Sequence, residues 1–193
     1  MNKSSLLKSA ALVALAPLLL FHAAARPQGR DHLTPEEVEL VRDNQELDKR
    51  TLVFVHAAER RVLAATNPEE FARQSAKDKE KWGEVKGTRA QLFYDVSKIL
   101  EEASTNIDDS AAHSPDSPLL RKSLYLLSEA VGRILPQLSK SREAAQEEAE
   151  ADQLDRAIAE AQEIADAAKE HGVTAEDLKV KDSKDSKAGK KGN

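Results

Sequence analysis

Apolar residues recur at spacings of three and four through most of this chain, the repeat of one face of an α-helix. The pattern is strongest in Pro118–Leu138. There Leu120, Leu124, Leu127, Val131, Ile134 and Leu138 share a face, which Leu119, Leu126, Ala130 and Leu135 widen. Ser117-Pro118 starts this helix, since proline suits the first helical position. Pro136 lies inside it. Its ring presses toward the carbonyl of Gly132, and its missing N–H removes a hydrogen bond. The pattern therefore predicts either a kink at Gly132–Pro136 or a break near Ser139–Ser141. This is the most apolar periodic segment after the N-terminal stretch, so the other helices are expected to bury against it.

Three further periodic segments have their own start and stop signals. Thr34-Pro35-Glu36-Glu37 is a capping box with proline at the first helical position. The helix it opens is expected to run to about Thr66, where Asn67-Pro68 stops it. Its seam is Leu40, Asn44, Leu47, Thr51, Phe54, Ala58 and Val62, flanked by Val41 and Val55. About thirty residues of helix span about 45 Å, more than a compact bundle needs. Asn67 then caps a short charged helix ending near Trp82-Gly83. Thr88-Arg89-Ala90-Gln91 is a second capping box, opening a helix over Arg89–Ile107 with the stripe Leu92, Val96, Ile99, Ala103 and Ile107. Phe93 and Leu100 lie beside that stripe. Residues 108–117 read as a loop.

Ser141–His171 contains neither proline nor glycine. Ala151, Leu154, Ile158, Ala161, Ala165 and Ala168 form a small-residue stripe with Ile164 adjacent, and the helix either packs on the bundle or projects from it. Gly172 followed by Val173 matches a Schellman stop. Thr174–Asp177 has the residues for one more turn.

The N-terminus reads differently. Lys3 and Lys8 precede twelve apolar residues, Ala10–Phe21, and Ala23-Ala24-Ala25 supplies small residues. This is the layout of a secretory signal peptide with cleavage after Ala25. Twelve residues fall short of the about 20 that a membrane-spanning helix requires. The expected organisation is a signal peptide over 1–25, a flexible lead-in over 26–33 and a helical bundle over 34–140. An acidic coiled-coil-like helix over 141–172 and a disordered Lys-rich tail over 173–193 follow.

Composition narrows the function classes. Charged residues make up 33% and aromatics 4%, a helix-rich balance. There is no cysteine, which excludes disulfides, thiolate metal sites and covalently attached haem. The net charge is −5, and subtracting Lys3 and Lys8 leaves −7 for the cleaved chain. An acidic protein lacks the cationic footprint of a nucleic-acid binder. Glu143–Glu170 holds ten acids against two basic residues, a local charge of −8. Such a run either solvates a helix face or presents an acidic surface to cationic partners or loosely held divalent ions. Val180–Asn193 carries +3 and is low in complexity.

Candidate chemistry is sparse. Asp108, Asp109, Ser110, His113, Ser114 and Asp116 include the residue types of a hydrolase triad or a small metal site. They crowd one predicted loop, whereas a triad draws its members from separate rigid elements. His56 and Glu59 stand at i,i+3 on one helix, two metal ligands without the further ones a structural site needs. Trp82 is the single tryptophan, either a partner anchor or a lid over the end of its own core. No Glu-x-x-His di-iron pattern, zinc-protease motif or phosphate-binding glycine loop is present. No catalytic, cofactor-binding or metal residue is therefore assigned.

The fold expected is all-α, an antiparallel helical bundle with a long, acidic, coiled-coil-like C-terminal helix and a disordered tail. Its core should hold Leu40, Leu47, Phe54, Leu92, Val96, Ile99, Leu120, Leu124, Leu127, Val131 and Ile134. The function expected is a non-enzymatic protein-interaction or structural component of the bacterial cell envelope, exported to the periplasm or beyond. It would have a protein partner or self-associate through helix faces, with no nucleic acid and no transmembrane segment after cleavage. The alternative is a periplasmic bundle that binds a small ligand or metal between its helices, with Asn44, Thr51, His56 and Tyr125 as the groups to suspect.

Overall fold

Side-chain caps decide where the helices begin. Thr34 accepts from the Glu37 backbone N–H while Glu37 accepts from the Thr34 N–H, and Thr88 and Gln91 repeat the exchange. Asn67 accepts from Glu70, and Ser117 from Leu119. A computed structural model describes residues 31–179 of the chain, and within them these caps open helices as the sequence predicts. The expected signal peptide, most of the lead-in and the chain from Val180 onward lie outside the described residues.

The elements are α1 Pro35–Asp43, α2 Leu47–Thr66, α3 Pro68–Trp82, α4 Arg89–His113, α5 Pro118–Ala144 and α6 Glu148–Glu170. A short 3-10 turn follows at Ala175–Lys179. Among the described residues there is no strand, and no helix is long and apolar enough to cross a membrane. The Schellman stop forms as expected, with Val173 N–H donating to Ala168 and Gly172 N–H to Lys169 at 3.1 Å each.

Several expected boundaries move, each for a local reason. The helix expected over 34–66 is two helices, α1 and α2. Asn44 ends α1 by donating its side-chain amide to the Leu40 carbonyl at 2.7 Å, competing with the helix backbone. Arg50 then donates to the Asn44 carbonyl and holds the corner. The loop expected over 108–117 is mostly helix, because α4 continues to His113. The Ser110 hydroxyl donates to the Asn106 carbonyl at 2.8 Å, so a side chain read as a loop former bonds back onto its own helix.

The break expected near Ser139–Ser141 does not occur, and α5 runs through Pro136 to Ala144. Pro136 and Gly132 both face solvent, while Ile134 and Leu138 are buried and hold that stretch to the core. The interruption falls instead at Ala145–Glu147, inside the segment read as continuous from Ser141 to His171. It places Glu148 and Glu150 in the first turn of α6, where the helix dipole favours anions. Glu150 also pairs there with Arg89 at 3.1 Å.

The four long helices α2, α4, α6 and α5 close a ring. α2 packs on α4 and α5, and α6 packs on the same two, with α2 and α6 on opposite sides. Phe54, Phe93, Ile99, Leu100, Leu127, Ile134, Leu138 and Leu154 are fully buried at its centre. Of the expected core, Leu40, Leu120 and Leu124 are only half-buried. Leu40 belongs to α1, which rests outside the ring on α2 and α3. On α6 the buried positions are Leu154, Ala157, Ala161, Ile164 and Ala168, so the face is turned slightly from the expected stripe and Ala151, Ile158 and Ala165 sit at its margin.

Candidate functional site

The groups suspected from the sequence do not converge. Asn44 is occupied in ending α1. The buried Thr51 hydroxyl donates to the Leu47 carbonyl at 2.8 Å. Tyr125 is half-buried on α5. Glu59 turns to Arg133 on α5 at 2.7 Å. His56 packs instead on Trp82, ring centroids 4.1 Å apart and planes inclined by 51°. Its Nε2 has neither solvent nor a hydrogen-bond partner. Burial first, then the Arg60 guanidinium, holds the His56 imidazole below the ordinary histidine value.

The Asp/Ser/His stretch near residue 110 splits between two grooves. Asp109, Ser110, His113 and Ser114 border an open groove of about 660 Å³ at the end of α4, opposite Arg50. His113 Nδ1 meets the Asp109 carbonyl at 2.7 Å, and Ser110 bonds to the Asn106 carbonyl. Each side chain is held by its own helix rather than by the other, so no nucleophile–base pair is assembled. Among the described residues no group of three or more His, Asp or Glu side chains is placed to hold a metal ion.

Asp108 faces the other groove, about 360 Å³, between α4 and α6. Its floor is apolar, made by Ile107, Leu124, Ile164 and Ala167. Its rim carries Glu101 and Asp108 from α4 and Glu160 and Glu163 from α6. Glu101 pairs with Lys98 at 2.5 Å. Asp108, Glu160 and Glu163 have no ion-pair partner among the described residues. Partial burial, then the charges of Glu163 and Glu101, hold the Glu160 carboxyl above the ordinary value. The helix repeat produces this crowding: Glu160 and Glu163 stand at i,i+3 on α6, opposite Glu101 and Asp108, which lie about two turns apart on α4.

A buried ionic hub, not foreseen from the sequence, forms where the entry to α1 meets α2 and α3. Glu37, fully buried, takes Arg60 Nη1 at 2.6 Å and Arg61 Nη1 at 2.5 Å on the same Oε1. Its Oε2 serves the Thr34 N–H at 2.9 Å. Arg60 also donates to the carbonyls of Trp82 and Gly83, at 2.9 and 2.8 Å, and Arg61 to that of His32 at 2.8 Å. This knot ties the entry to α1, the middle of α2 and the end of α3 together. Its one sequence signal was an Arg-Arg pair set between Ala58 and Val62 in an apolar stretch.

Comparison with known protein families, with curated proteins and with solved structures gives no match.

Proposed function

We propose that this is an exported, non-enzymatic protein of the bacterial cell envelope that binds another protein through the groove between α4 and α6. The observation that carries the reading is an apolar floor beneath a rim of carboxylates, three of them without an ion-pair partner among the described residues. A groove of that kind suits a cationic amphipathic helix, whose apolar stripe meets the floor while its Lys and Arg meet the rim. The crowded rim has a cost in the absence of a partner, since burial and like charge disfavour ionised Glu160. A cationic partner relieves it.

Further features fit this reading. The signal-like stretch over residues 1–25 supports export. In the account proposed, the four long helices alternate as an antiparallel bundle. α6 contributes a coiled-coil-like seam, because Leu154, Ala157, Ala161, Ile164 and Ala168 follow the alternating spacing of three and four. Its acidic outer face then borders the groove. The rival reading, a ligand or metal held by Asn44, Thr51, His56 and Tyr125, draws little support, because Asn44 and Thr51 already spend their donors on helix carbonyls.

The test is in-cell cross-linking of the tagged, exported protein beside a variant carrying Glu160→Lys and Glu163→Lys. A reproducible partner with the parent chain, lost with the variant while the variant stays folded, supports the reading. Equal capture by both, or self-cross-links alone, overturns it.

A further inference from the structure

α3 is the least embedded helix of the molecule. None of its 15 residues is buried, and it rests only on α2 and α1. Asn67 forms its junction with α2 at one end. At the other end two contacts hold it, and they differ in kind. The backbone is clamped, since the Trp82 carbonyl accepts from Arg60 and from the Thr34 hydroxyl at 2.8 Å. The side chain is held by the His56 ring, with the cations of Arg60 and Lys81 6.0 and 5.5 Å from the Trp82 ring centroid.

The geometry points to an acid-operated latch: neutral His56 holds the Trp82 ring against α2, and protonation of His56 releases that ring to solvent with the last turn of α3. A protonated imidazole donates from both nitrogens, yet His56 Nε2 has neither an acceptor nor water. The neighbouring charges do not supply one. On α2, Arg60 repels a second cation and Glu59 is taken by Arg133. From α1, Glu37 is taken by Arg60 and Arg61. From α3, Lys81 is a further cation, and Asp78, the remaining acid near His56, makes no hydrogen bond to its Nε2. Both rings are half-buried, so charging His56 draws water toward the enclosed Nε2 at the expense of the Trp82 contact, and α3 has no buried residue to resist the departure of Trp82. The backbone clamp at Trp82 and Gly83 is made by Arg60 and Thr34 and not by His56, so the movement is a local opening.

The single tryptophan makes the latch directly readable. The experiment follows Trp82 emission wavelength and acrylamide quenching from about pH 8 to about pH 5, with far-UV circular dichroism as the check on fold. The parent chain should show a red shift, and its quenching constant should more than double as pH falls, with helicity unchanged. His56→Gln should abolish the transition. His56→Phe, which keeps an uncharged ring on Trp82, should do the same and serves if the glutamine variant does not fold. His32→Gln should retain it. A transition that survives in the folded His56 variants overturns the proposal. So does emission that dims without any gain in quencher access, since His56 would then titrate with the latch shut.

Discussion

A carboxylate with no solvent must be matched within the fold, and Glu37 is matched by two guanidinium groups and a backbone N–H. Removing its charge would leave Arg60 and Arg61 buried without a counter-ion. Glu37→Gln should therefore destabilise the protein by about 3–5 kcal/mol in urea unfolding. Gly83 is constrained by its surroundings in another way. Its φ is +69°, and an added Cβ would collide with Glu36 Oε2 and lie 2.7 Å from Thr34 Oγ1. Gly83→Ala should cost about 1–3 kcal/mol from the backbone alone. Gly132 is the contrasting case, helical and with nothing within 4 Å of an added Cβ. Gly132→Ala should stabilise by about 0.4–1 kcal/mol. His56 adds a pH dependence. Its folded-state value lies below the ordinary 6.5, so the unfolded chain binds the proton more readily. Its contribution is intact above that value and is lost as pH falls below it. Thermal melts of the parent and His56→Phe should diverge in acid and converge toward neutrality.

At the scale of the elements, capping chemistry was legible and tertiary compensation was not. Thr34, Asn67, Thr88 and Ser117 announce their helices because each cap acts within three residues of itself. Ser110 and His113 have the local signature of loop formers, because nothing within the stretch says that a side chain will turn back onto a helix carbonyl. Asn44 interrupts the first seam in the sequence, but its effect, a break rather than a packing contact, depends on Arg50 reaching back to its carbonyl. Glu37 was recognised as a cap, while its larger role depends on arginines 23 and 24 positions away. The groove was half legible: the acids of α6 stood out, but Glu101 and Asp108 join them only once α4 lies alongside. Core energetics follow burial. Leu127→Ala should cost about 2–5 kcal/mol, and Leu120→Ala clearly less, because Leu127 is fully enclosed and Leu120 half-buried.

For the whole molecule, a ring of four long helices supplies stability, and charge is distributed unevenly around it. The hub at the start of α1 matches a buried carboxylate with cations. The face between α4 and α6 leaves carboxylates unmatched. Glu160 is held above the ordinary value, so its ionised form opposes folding and that opposition fades as pH falls through its folded-state value. Glu160→Gln should therefore raise stability at neutral pH while weakening partner capture, a trade that a purely solvating acidic face would not show. Deleting α6 is a poor probe of binding, because Leu154 and Ile164 leave the core with it. The most direct measurement places a photo-reactive residue at Thr105, on the groove between α4 and α6, and another at Lys140, away from it. Cross-linking in the cell from position 105, but not from 140, to a Lys- or Arg-rich segment of one other protein is the result this account predicts. Equal capture from both positions, or none from position 105, would contradict it.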